Sequence, residues 1–296
     1  MIINILLRFQ IIFFLFIVSN FAIANDLVGT SKQILGNYIV GAMHEHTPEF
    51  IKYFDAEYTF SSDSPDTFSL TTLSSIYEEE QSVIFNQTSL FRHDDNTTLN
   101  IGLGYRNLFS DDKMIFGANI FYDREIQVTH QRLGLGIELL TSVFDLRTNY
   151  YESFSDIKLV TNNDREKALD GYDVRIDYHL PSSLVEGYSV TFFTLLYDWS
   201  ESGGDFELDG YKVGFSSKVY RNLYVETGID DDGTNDKDFY LVFNYAFKFN
   251  NNGSDIVENK EAFQFESVRH RMFEKVLREN RIIKVVKGAV KVKRGN

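Results

Sequence analysis

Polar and apolar residues alternate along the chain in about twelve short stretches between Tyr53 and Phe249. The clearest stretch is 239–249, where an aromatic or aliphatic side chain occupies every second position. Successive side chains of a β-strand point to opposite faces, so a period of two predicts strands with one apolar face each. We expect strands over residues 52–61, 67–75, 82–91, 97–106, 113–122, 131–140, 143–151, 171–180, 187–197, 209–217, 220–229 and 237–249.

The N-terminal residues 1–24 have the pattern of a secretory signal. Arg8 supplies a positive charge, an apolar run follows, and residues 22–24 (Ala-Ile-Ala) offer a small-residue cleavage site. After residue 25 no stretch of eighteen apolar residues occurs, so the sequence predicts no transmembrane helix. The chain contains no cysteine, and an exported protein without disulfides depends on its core, its sheet or lipid for stability. We interpret residues 25–51 as a short periplasmic segment.

Alternation of this kind fits two folds, a soluble β-sandwich and a closed β-barrel in a membrane. The export signal, the unbroken β pattern and the glycines on the polar faces favour the barrel, because such glycines leave room in a lumen for another group. We therefore predict an all-β fold, a transmembrane antiparallel β-barrel of about 12 strands over residues 52–249. Its apolar faces would contact outer-membrane lipid. The glycines in question are Gly102, Gly104, Gly134 and Gly136.

The connections between strands predict the orientation of the barrel. If the N-terminus lies in the periplasm, odd-numbered connections face outward, and three of these (152–170, 198–208 and 230–236) are long or strongly polar. The sixth and tenth connections are tight, as expected of periplasmic turns. Aromatic residues near the predicted strand ends suit an interfacial girdle. These residues are Tyr122, Tyr150, Tyr151, Tyr197 and Trp199.

The pattern changes after the last predicted strand. Residues 250–258 form a polar break, and apolar residues between Val268 and Leu277 then recur at spacings of three and four, which is typical of a helix. We predict a linker and helical plug through the pore over residues 250–281. A short β-prone basic tail over 282–296 follows.

Charge is divided unevenly between the barrel and this tail. The whole chain carries −14, whereas residues 259–296 contain eleven Lys and Arg against four Glu. We hypothesise that acidic residues of the lumen hold a threaded basic segment. Two alternatives stay open: lumen arginines neutralise these acids within the wall, or the tail is a solvated basic arm. The predicted contact residues are Arg132, Glu138, Asp145, Arg147, Asp173, Arg175, Asp177 and Glu226 in the lumen, and Lys260, Arg269, Arg271 and Lys275 in the segment.

No motif of the chain predicts an enzyme. Two Gly-x-Gly pairs lie within predicted strands with no helix after them, which does not fit nucleotide binding. His44 and His46 offer only two ligands for a metal ion, and the acidic run 230–238 lacks the spacing of a calcium loop. We predict no catalytic residue, no metal and no cofactor. An acidic exported chain also predicts no nucleic-acid partner.

Five short motifs follow one another along the predicted strands. They are Asn100-Ile101-Gly102-Leu103-Gly104-Tyr105-Arg106, Gly117-Ala118-Asn119-Ile120-Phe121-Tyr122-Asp123, Arg132-Leu133-Gly134-Leu135-Gly136-Ile137-Glu138, Asn149-Tyr150-Tyr151, and Gly171-Tyr172-Asp173 with Leu180-Pro181. In this order and spacing the chain resembles the translocator β-domain of the intimin and invasin adhesins, the inverse autotransporters. The resemblance covers roughly residues 52–287, since residues 271–283 are also similar to the segment that follows the barrel in that family.

The resemblance implies a twelve-stranded outer-membrane barrel whose C-terminal segment passes through the pore and carries an adhesive passenger outside. It also implies the outer-membrane barrel assembly machinery, periplasmic chaperones and a host or other surface receptor as partners. In that family the passenger is a string of immunoglobulin-like domains, whereas this sequence stops at Asn296, so we expect a vestigial passenger at most. Residues 25–50 are too few for a peptidoglycan-binding module, and we expect none.

These observations predict an outer-membrane translocator that anchors and exports its own C-terminal segment. Two other functions stay open. The first is a stand-alone pore for small solutes, with the tail as its gate. The second is a surface adhesin that acts through its outward loops, mainly 152–170 and 198–208.

Overall fold

The computed structural model describes residues 48–160, 164–185, 188–220, 222–233, 237–249 and 263–287. The chain divides into two compact units, Met1–Ile51 and Lys52–Asn296. The predicted secretory signal, most of the predicted periplasmic segment, residues 250–262 and the residues after 287 lie outside the described part of the chain.

The described residues form fifteen strands, one short α-helix and one turn of 3-10 helix. The strands are β1 (Ile51–Ser61), β2 (Thr67–Glu78), β3 (Ser82–His93), β4 (Asn96–Phe109), β5 (Met114–Glu125), β6 (Gln131–Thr141), β7 (Phe144–Ser153), β8 (Lys158–Leu159), β9 (Arg165–Ala168), β10 (Asp170–His179), β11 (Ser189–Ser200), β12 (Glu207–Tyr220), β13 (Leu223–Asp231), β14 (Asp238–Lys248) and β15 (Lys284–Lys287). Helix α1 spans Ser182–Val185, and the 3-10 turn spans Arg269–Arg271.

Twelve of these strands form one closed antiparallel barrel, in the order β1, β14, β13, β12, β11, β10, β7, β6, β5, β4, β3 and β2. The first and last strands close it, with Tyr53 opposite Lys248 and Ser61 opposite Tyr240. Closure gives every barrel strand a hydrogen-bonded neighbour on both edges, which a sheet in hydrocarbon requires. The predicted fold class is confirmed, and no predicted strand boundary lies more than three residues from the observed one.

The two faces of the barrel wall differ as the alternation predicts. Outward side chains of the middle strands are apolar and exposed, such as Leu135 and Ile176, with exposed fractions of 54% and 52%. Their inward neighbours are polar or charged and buried, and include Arg132, Glu138, Asp145, Arg147, Asp173 and Asp177. An apolar band facing away from the lumen is the surface that lipid covers. Among the described residues, no helix has the length and hydropathy needed to cross a membrane.

The inward glycines leave room that larger groups fill. The ring of Phe121 lies over Gly102 and that of Phe85 over Gly104, so a Cβ atom at either glycine would overlap a ring. A residue without a side chain is needed for such close approach. Arg278 of the C-terminal segment approaches Gly134 in the same way.

The connections divide between the two ends of the barrel. We call one the turn end, because it holds mostly short connections: 79–81, 110–113, 142–143, 180–188 and 221–222. We call the other the loop end, which holds connections 62–66, 94–95, 126–130, 154–169, 201–206 and 232–237. The longest connection, 154–169, lies at the loop end as predicted, although 94–95 is short and 180–188 is long. Which end faces the cell exterior remains a prediction.

A second, three-stranded sheet lies at the loop end, in the order β15, β9 and β8. Strands β8 and β9 belong to connection 154–169, whereas β15 comes from the C-terminal segment, with Lys284 opposite Ala168 and Lys287 opposite Arg165. We call this sheet the cap. The β-prone character of residues 282–286 was visible in the sequence, but its pairing with a loop of the barrel was not.

Two predictions about local structure are wrong. Residues 268–277 form no α-helix: apart from the 3-10 turn they have no regular structure, and side chains of the wall bond their backbone. The aromatic girdle is also wrong in part, because Tyr151 and Trp199 are buried inside the lumen and the Tyr197 hydroxyl donates to Asp230. Of the predicted girdle, Tyr150 is exposed on the outer face, with an exposed fraction of 50%.

Candidate functional site

The C-terminal segment, residues 263–287, runs through the lumen from the turn end to the loop end. At the turn end the Val268 N–H donates to the Asp112 carbonyl (2.7 Å), and Arg269 bonds both carboxylate oxygens of Asp112 at 2.8 and 2.9 Å. At the loop end the Leu169 N–H donates to the Ile283 carbonyl (2.9 Å). The chain therefore runs through the barrel from the turn end to the cap at the loop end.

Arg271 makes a dense and buried set of contacts between the segment and the wall. Its guanidinium donates to both carboxylate oxygens of Asp145, at 2.9 and 2.6 Å, and to the Thr141 carbonyl at 2.6 Å. A third partner is Glu274, three residues further along the segment (2.6 Å). Asp145 also pairs with Arg147 of the wall (3.0 Å). Two fork-like guanidinium groups thus share one buried carboxylate, which fixes geometry as well as charge.

Most of the other predicted lumen acids contact the wall rather than the segment. Glu138 pairs with Arg106 at 2.6 Å, Asp177 bonds Arg147 and Arg175, and Glu226 pairs with Arg175 at 3.1 Å. Asp173 accepts from the Tyr151 hydroxyl and from Asn149, both at 2.7 Å. Arginines of the wall therefore neutralise several of these acids, while Asp145 contacts both the wall and the segment. Arg132 pairs with Asp123 at 2.8 Å.

Two further cations of the segment reach carboxylates of the wall. Lys275 lies 2.7 Å from Asp55 and 2.9 Å from Glu57, both on β1. Arg278 donates to both oxygens of Asp123 on β5, at 2.8 and 2.6 Å, and its guanidinium lies over the Phe121 ring at 4.3 Å. The segment is thus tied to the wall at three heights and on three strands.

Side chains of the wall also satisfy the backbone of the segment. The Gln87 amide accepts from the Val276 N–H (2.8 Å) and donates to its carbonyl (3.3 Å). The Tyr151 hydroxyl accepts from the Glu279 N–H at 2.7 Å. Carbonyls of the segment accept from Arg106, Arg132, Asn100 and Asn149. A buried backbone without a strand partner needs such groups, because unpaired N–H and C=O are costly.

Apolar contacts hold the segment near both ends. Toward the turn end Val268, Met272 and Val276 belong to one buried cluster with inward side chains of the wall, among them Leu108 and Ile115. Toward the loop end Ile283 packs in a second cluster with Tyr151, Leu169 and Trp199. Burial of this kind contributes roughly 1.5–3 kcal/mol for each large apolar side chain.

Ion pairs join the segment to the loop end through the cap. Lys284 bridges Glu125 at the end of β5 (3.1 Å) and Glu166 on β9 (2.9 Å), and Lys287 pairs with Glu201 at 2.7 Å. His130, in the connection before β6, is buried beneath these groups. Burial and the nearby Lys284 ammonium lower the pKa of His130 from 6.5 to about 4.

The segment occupies only part of the lumen. It contacts mainly β1 to β7, and we call this side the occupied half. On the side of β10 to β14, which we call the open half, a cavity of about 570 Å³ remains. Its lining reaches from Ser64 and Pro65 at the loop end to Leu180 and Lys218 at the turn end. Among the described residues, a cavity lined by both polar and apolar groups therefore lies beside the segment.

Sequence reasoning placed some segment residues in the lumen and missed others. Lys260 lies outside the described residues, and Arg269 lies at the rim, where its side chain is 43% exposed. Arg278, Arg106 and Asp123 were not singled out. Applying the alternation to β4 and β5 places Arg106 and Asp123 on the inward face with Gly104 and Phe121. Arg278 carried no such signal, because the segment has no regular period.

The candidate metal residues have other roles or lie outside the described residues. His44 and His46 are outside them. Asp230 accepts from Tyr197 and pairs with Lys212, while Asp231 pairs with Lys237. Among the described residues, no group of three His, Asp or Glu side chains is placed to hold a metal ion.

Comparison with known proteins identifies the fold and the family. A solved structure reported under "Unveiling the Mechanism Behind the in-meso Crystallization of Membrane Proteins" covers 79% of this chain and all of its own chain, with a TM-score of 0.65. At 22% identity this likeness concerns the fold alone.

Two proteins of Escherichia coli strain K12 are similar in sequence. An attaching and effacing protein homolog is 33% identical over 126 residues, which are 42% of this chain and 42% of that protein. The inverse autotransporter adhesin YeeJ is 31% identical over 109 residues, 36% of this chain and 5% of the adhesin. The chain thus matches less than half the length of these relatives.

The family description "Inverse autotransporter, beta-domain" matches residues 22–280, most of the chain. This family is an outer-membrane domain and not a class of enzyme, which places the apolar band of the barrel in contact with outer-membrane lipid. The chain belongs to the inverse autotransporter β-domain family.

Proposed function

We propose that the barrel anchors the chain in the outer membrane and exports its C-terminal segment through its own lumen. The observation that carries this proposal is the path of residues 263–287 from the turn end, through the lumen, into the cap. Export in this direction requires the turn end to face the periplasm, which the predicted secretory signal and the position of connection 154–169 support.

The chemistry of the occupied half suits a segment that must first pass through the lumen and then be retained there. Gln87, Asn100 and Asn149 bond backbone groups of the segment, and every peptide offers such groups whatever its side chains. Retention then depends on side chains, because Arg271, Lys275 and Arg278 meet Asp145, Asp55 and Asp123. Most sequences would therefore slide through the lumen, whereas this basic segment would be retained by its ion pairs.

Labelling of intact cells tests the direction of export. Because the chain has no cysteine, one introduced thiol gives an unambiguous signal. Val286→Cys, in β15, and Gln264→Cys, at the turn end, are a matched pair at exposed positions. We expect a membrane-impermeant maleimide to label Val286→Cys on intact cells and Gln264→Cys only after permeabilisation. Labelling of position 264 alone on intact cells would reverse the orientation and overturn the proposal.

Assembly and receptor binding belong to the same proposal. The family relationship supports insertion by the outer-membrane barrel assembly machinery with periplasmic chaperones, and its adhesin relatives support a surface receptor. Depletion of the assembly machinery should abolish labelling of Val286→Cys and leave the unfolded chain to proteases.

A second candidate function, passage of small solutes, is favoured by the cavity in the open half. Its lining includes Glu57, Arg175, Lys212 and Glu226, so water and ions find polar partners beside the segment. The full chain in a planar bilayer should then conduct ions with the segment in place. A bilayer that contains folded barrels and carries no current would contradict this second function. Adhesion through loops 152–170 and 198–208 remains a prediction.

A further inference from the structure

Two phenylalanines of the C-terminal segment lie outside the barrel, at the turn end. Phe265 packs against Phe144 with ring centroids 6.2 Å apart, and Phe263 packs against Tyr178 at the same centroid distance. Phe144 and Tyr178 are opposite one another on the neighbouring strands β7 and β10. The two contacts therefore form one continuous aromatic patch on the wall.

The patch belongs to the lipid-facing side of the wall. Phe144 and Tyr178 each lie two residues from an exposed apolar side chain, Leu146 and Ile176, and residues two apart share a face of a strand. The alternate residue Asp145 points into the lumen, where it meets Arg271. Phe263 and Phe265 thus extend the apolar outer surface at its edge.

The segment crosses the rim of the barrel immediately after this patch. The hydroxyl of Ser142, in the β6–β7 turn, accepts from the Glu266 N–H (2.8 Å) and lies 3.5 Å from the Gln264 carbonyl. By Val268 the side chain is fully buried in the lumen cluster. Between residues 265 and 268 the chain therefore passes from the outer face of the wall, over one tight turn, to the inner face.

The exposure of the two rings points to what covers them. Phe263 is 72% exposed and Phe265 37%, and Phe263 has a left-handed backbone, with φ of 62°, which bulky residues rarely adopt. Aromatic side chains at the edge of a membrane barrel are stabilised by the lipid–water interface. Continuity with the apolar band selects lipid over a protein partner.

We propose that Phe263 and Phe265 insert into the membrane interface at the turn end and anchor the segment to lipid before it enters the lumen. The segment is then fixed twice, by lipid outside the wall and by ion pairs inside it.

Fluorescence quenching by brominated phospholipids tests the proposal in the full chain. The chain has a single tryptophan, Trp199, which is buried in the lumen and serves as the unquenched reference. In a Trp199→Phe background, Phe265→Trp is the reporter, and Leu146→Trp on the exposed outer face is the lipid-facing standard. We expect Phe265→Trp to be quenched as strongly as Leu146→Trp, and at least twice as strongly as native Trp199.

Quenching of Phe265→Trp no greater than that of Trp199 would overturn the proposal. Because tryptophan substitutions can disturb folding, a spin label on Phe263→Cys gives an independent measurement. Its collision rate with oxygen should exceed that with a water-soluble nickel complex, and the reverse order would also overturn the anchor. Neither measurement depends on export, so the anchor can fail while the proposed function stands.

Discussion

The two halves of the lumen are built from the same alternating strands but do different things. In the occupied half, inward side chains of β1 to β7 bond the C-terminal segment, from Arg106 near the turn end to Asn100 near the loop end. In the open half, β10 to β14 bond mainly one another, as Arg175 does with Asp177 and Glu226. The comparison shows that charged side chains in the lumen do not by themselves bind the segment. They bind it only where they lie next to the segment rather than next to a partner in the wall.

The largest effect should follow from breaking the Arg271 cluster in the occupied half. Arg271→Met leaves the buried Asp145 and the partly buried Glu274 short of a cation, so the bound state of the segment should lose about 3 kcal/mol. The measurement is hydrogen exchange of the segment amides, which should lose protection. Arg269→Met is the matched control, because that exposed pair should contribute about 0–1 kcal/mol. Equal losses in the two variants would contradict the role of burial.

Acidification should weaken the cap by an intermediate amount. His130 faces Ser155, Glu166, Lys284 and the charge of Lys158, and its pKa in the folded cap is about 4 against 6.5 when it is exposed. Between these values the open cap binds more protons than the closed one, so lowering the pH from 6.5 to 4 favours opening. The loss is on the order of 1–3 kcal/mol.

Exchange of the β15 amides at pH 7 and pH 4.5, corrected for intrinsic rates, measures this loss. In the control variant His130→Gln the contribution of the imidazole is absent, so the pH response should shrink. An unchanged response would contradict the role of His130.

The smallest effect on stability should come from filling the open half. Ser216 points into the lumen between Thr191 and Glu226, whereas its neighbour Phe215 lies on the outer face, where it is 51% exposed. Ser216→Trp should change the free energy of unfolding by less than about 0.5 kcal/mol, because the cavity has room for the ring. It should nevertheless lower the single-channel current.

Phe215→Trp places the same side chain on the opposite face and should leave the current unchanged. If both variants conduct like the native chain, ions do not use the open half. If Ser216→Trp releases the segment from the lumen, the two halves are coupled and the comparison fails.

The sequence predicted the barrel well because the alternation within each strand shows which face is apolar and which is polar. The period of two from Arg132 to Glu138 separates the lipid face from the lumen face without any knowledge of the neighbouring strands. An even number of strands then allows the first and last strands to pair antiparallel. Inward glycines such as Gly102 also indicated that something would fill the lumen.

The site was less predictable because its partners come from distant parts of the chain. The helical spacing of Val268, Met272 and Val276 was misleading, since these residues pack against a curved wall rather than along one face of a helix. Arg278 and Asp123 lie far apart in sequence and reveal their pairing only when the segment is threaded. Trp199 and Tyr151 near strand ends suited a girdle, yet both complete the core beneath the cap.

The pairing of β15 with β9 has a mechanical consequence. A pull on the chain from beyond the cap would first load this short ladder and the Lys284 and Lys287 pairs. Once these contacts break, the load would pass to Arg278 and Arg271, whose guanidinium groups pair with carboxylates on strands of the barrel wall. The last barrel strand, β14, would feel the force only after all of these grips fail. The contacts of the segment would thus break in successive steps under load, while the closed barrel in the membrane stays intact.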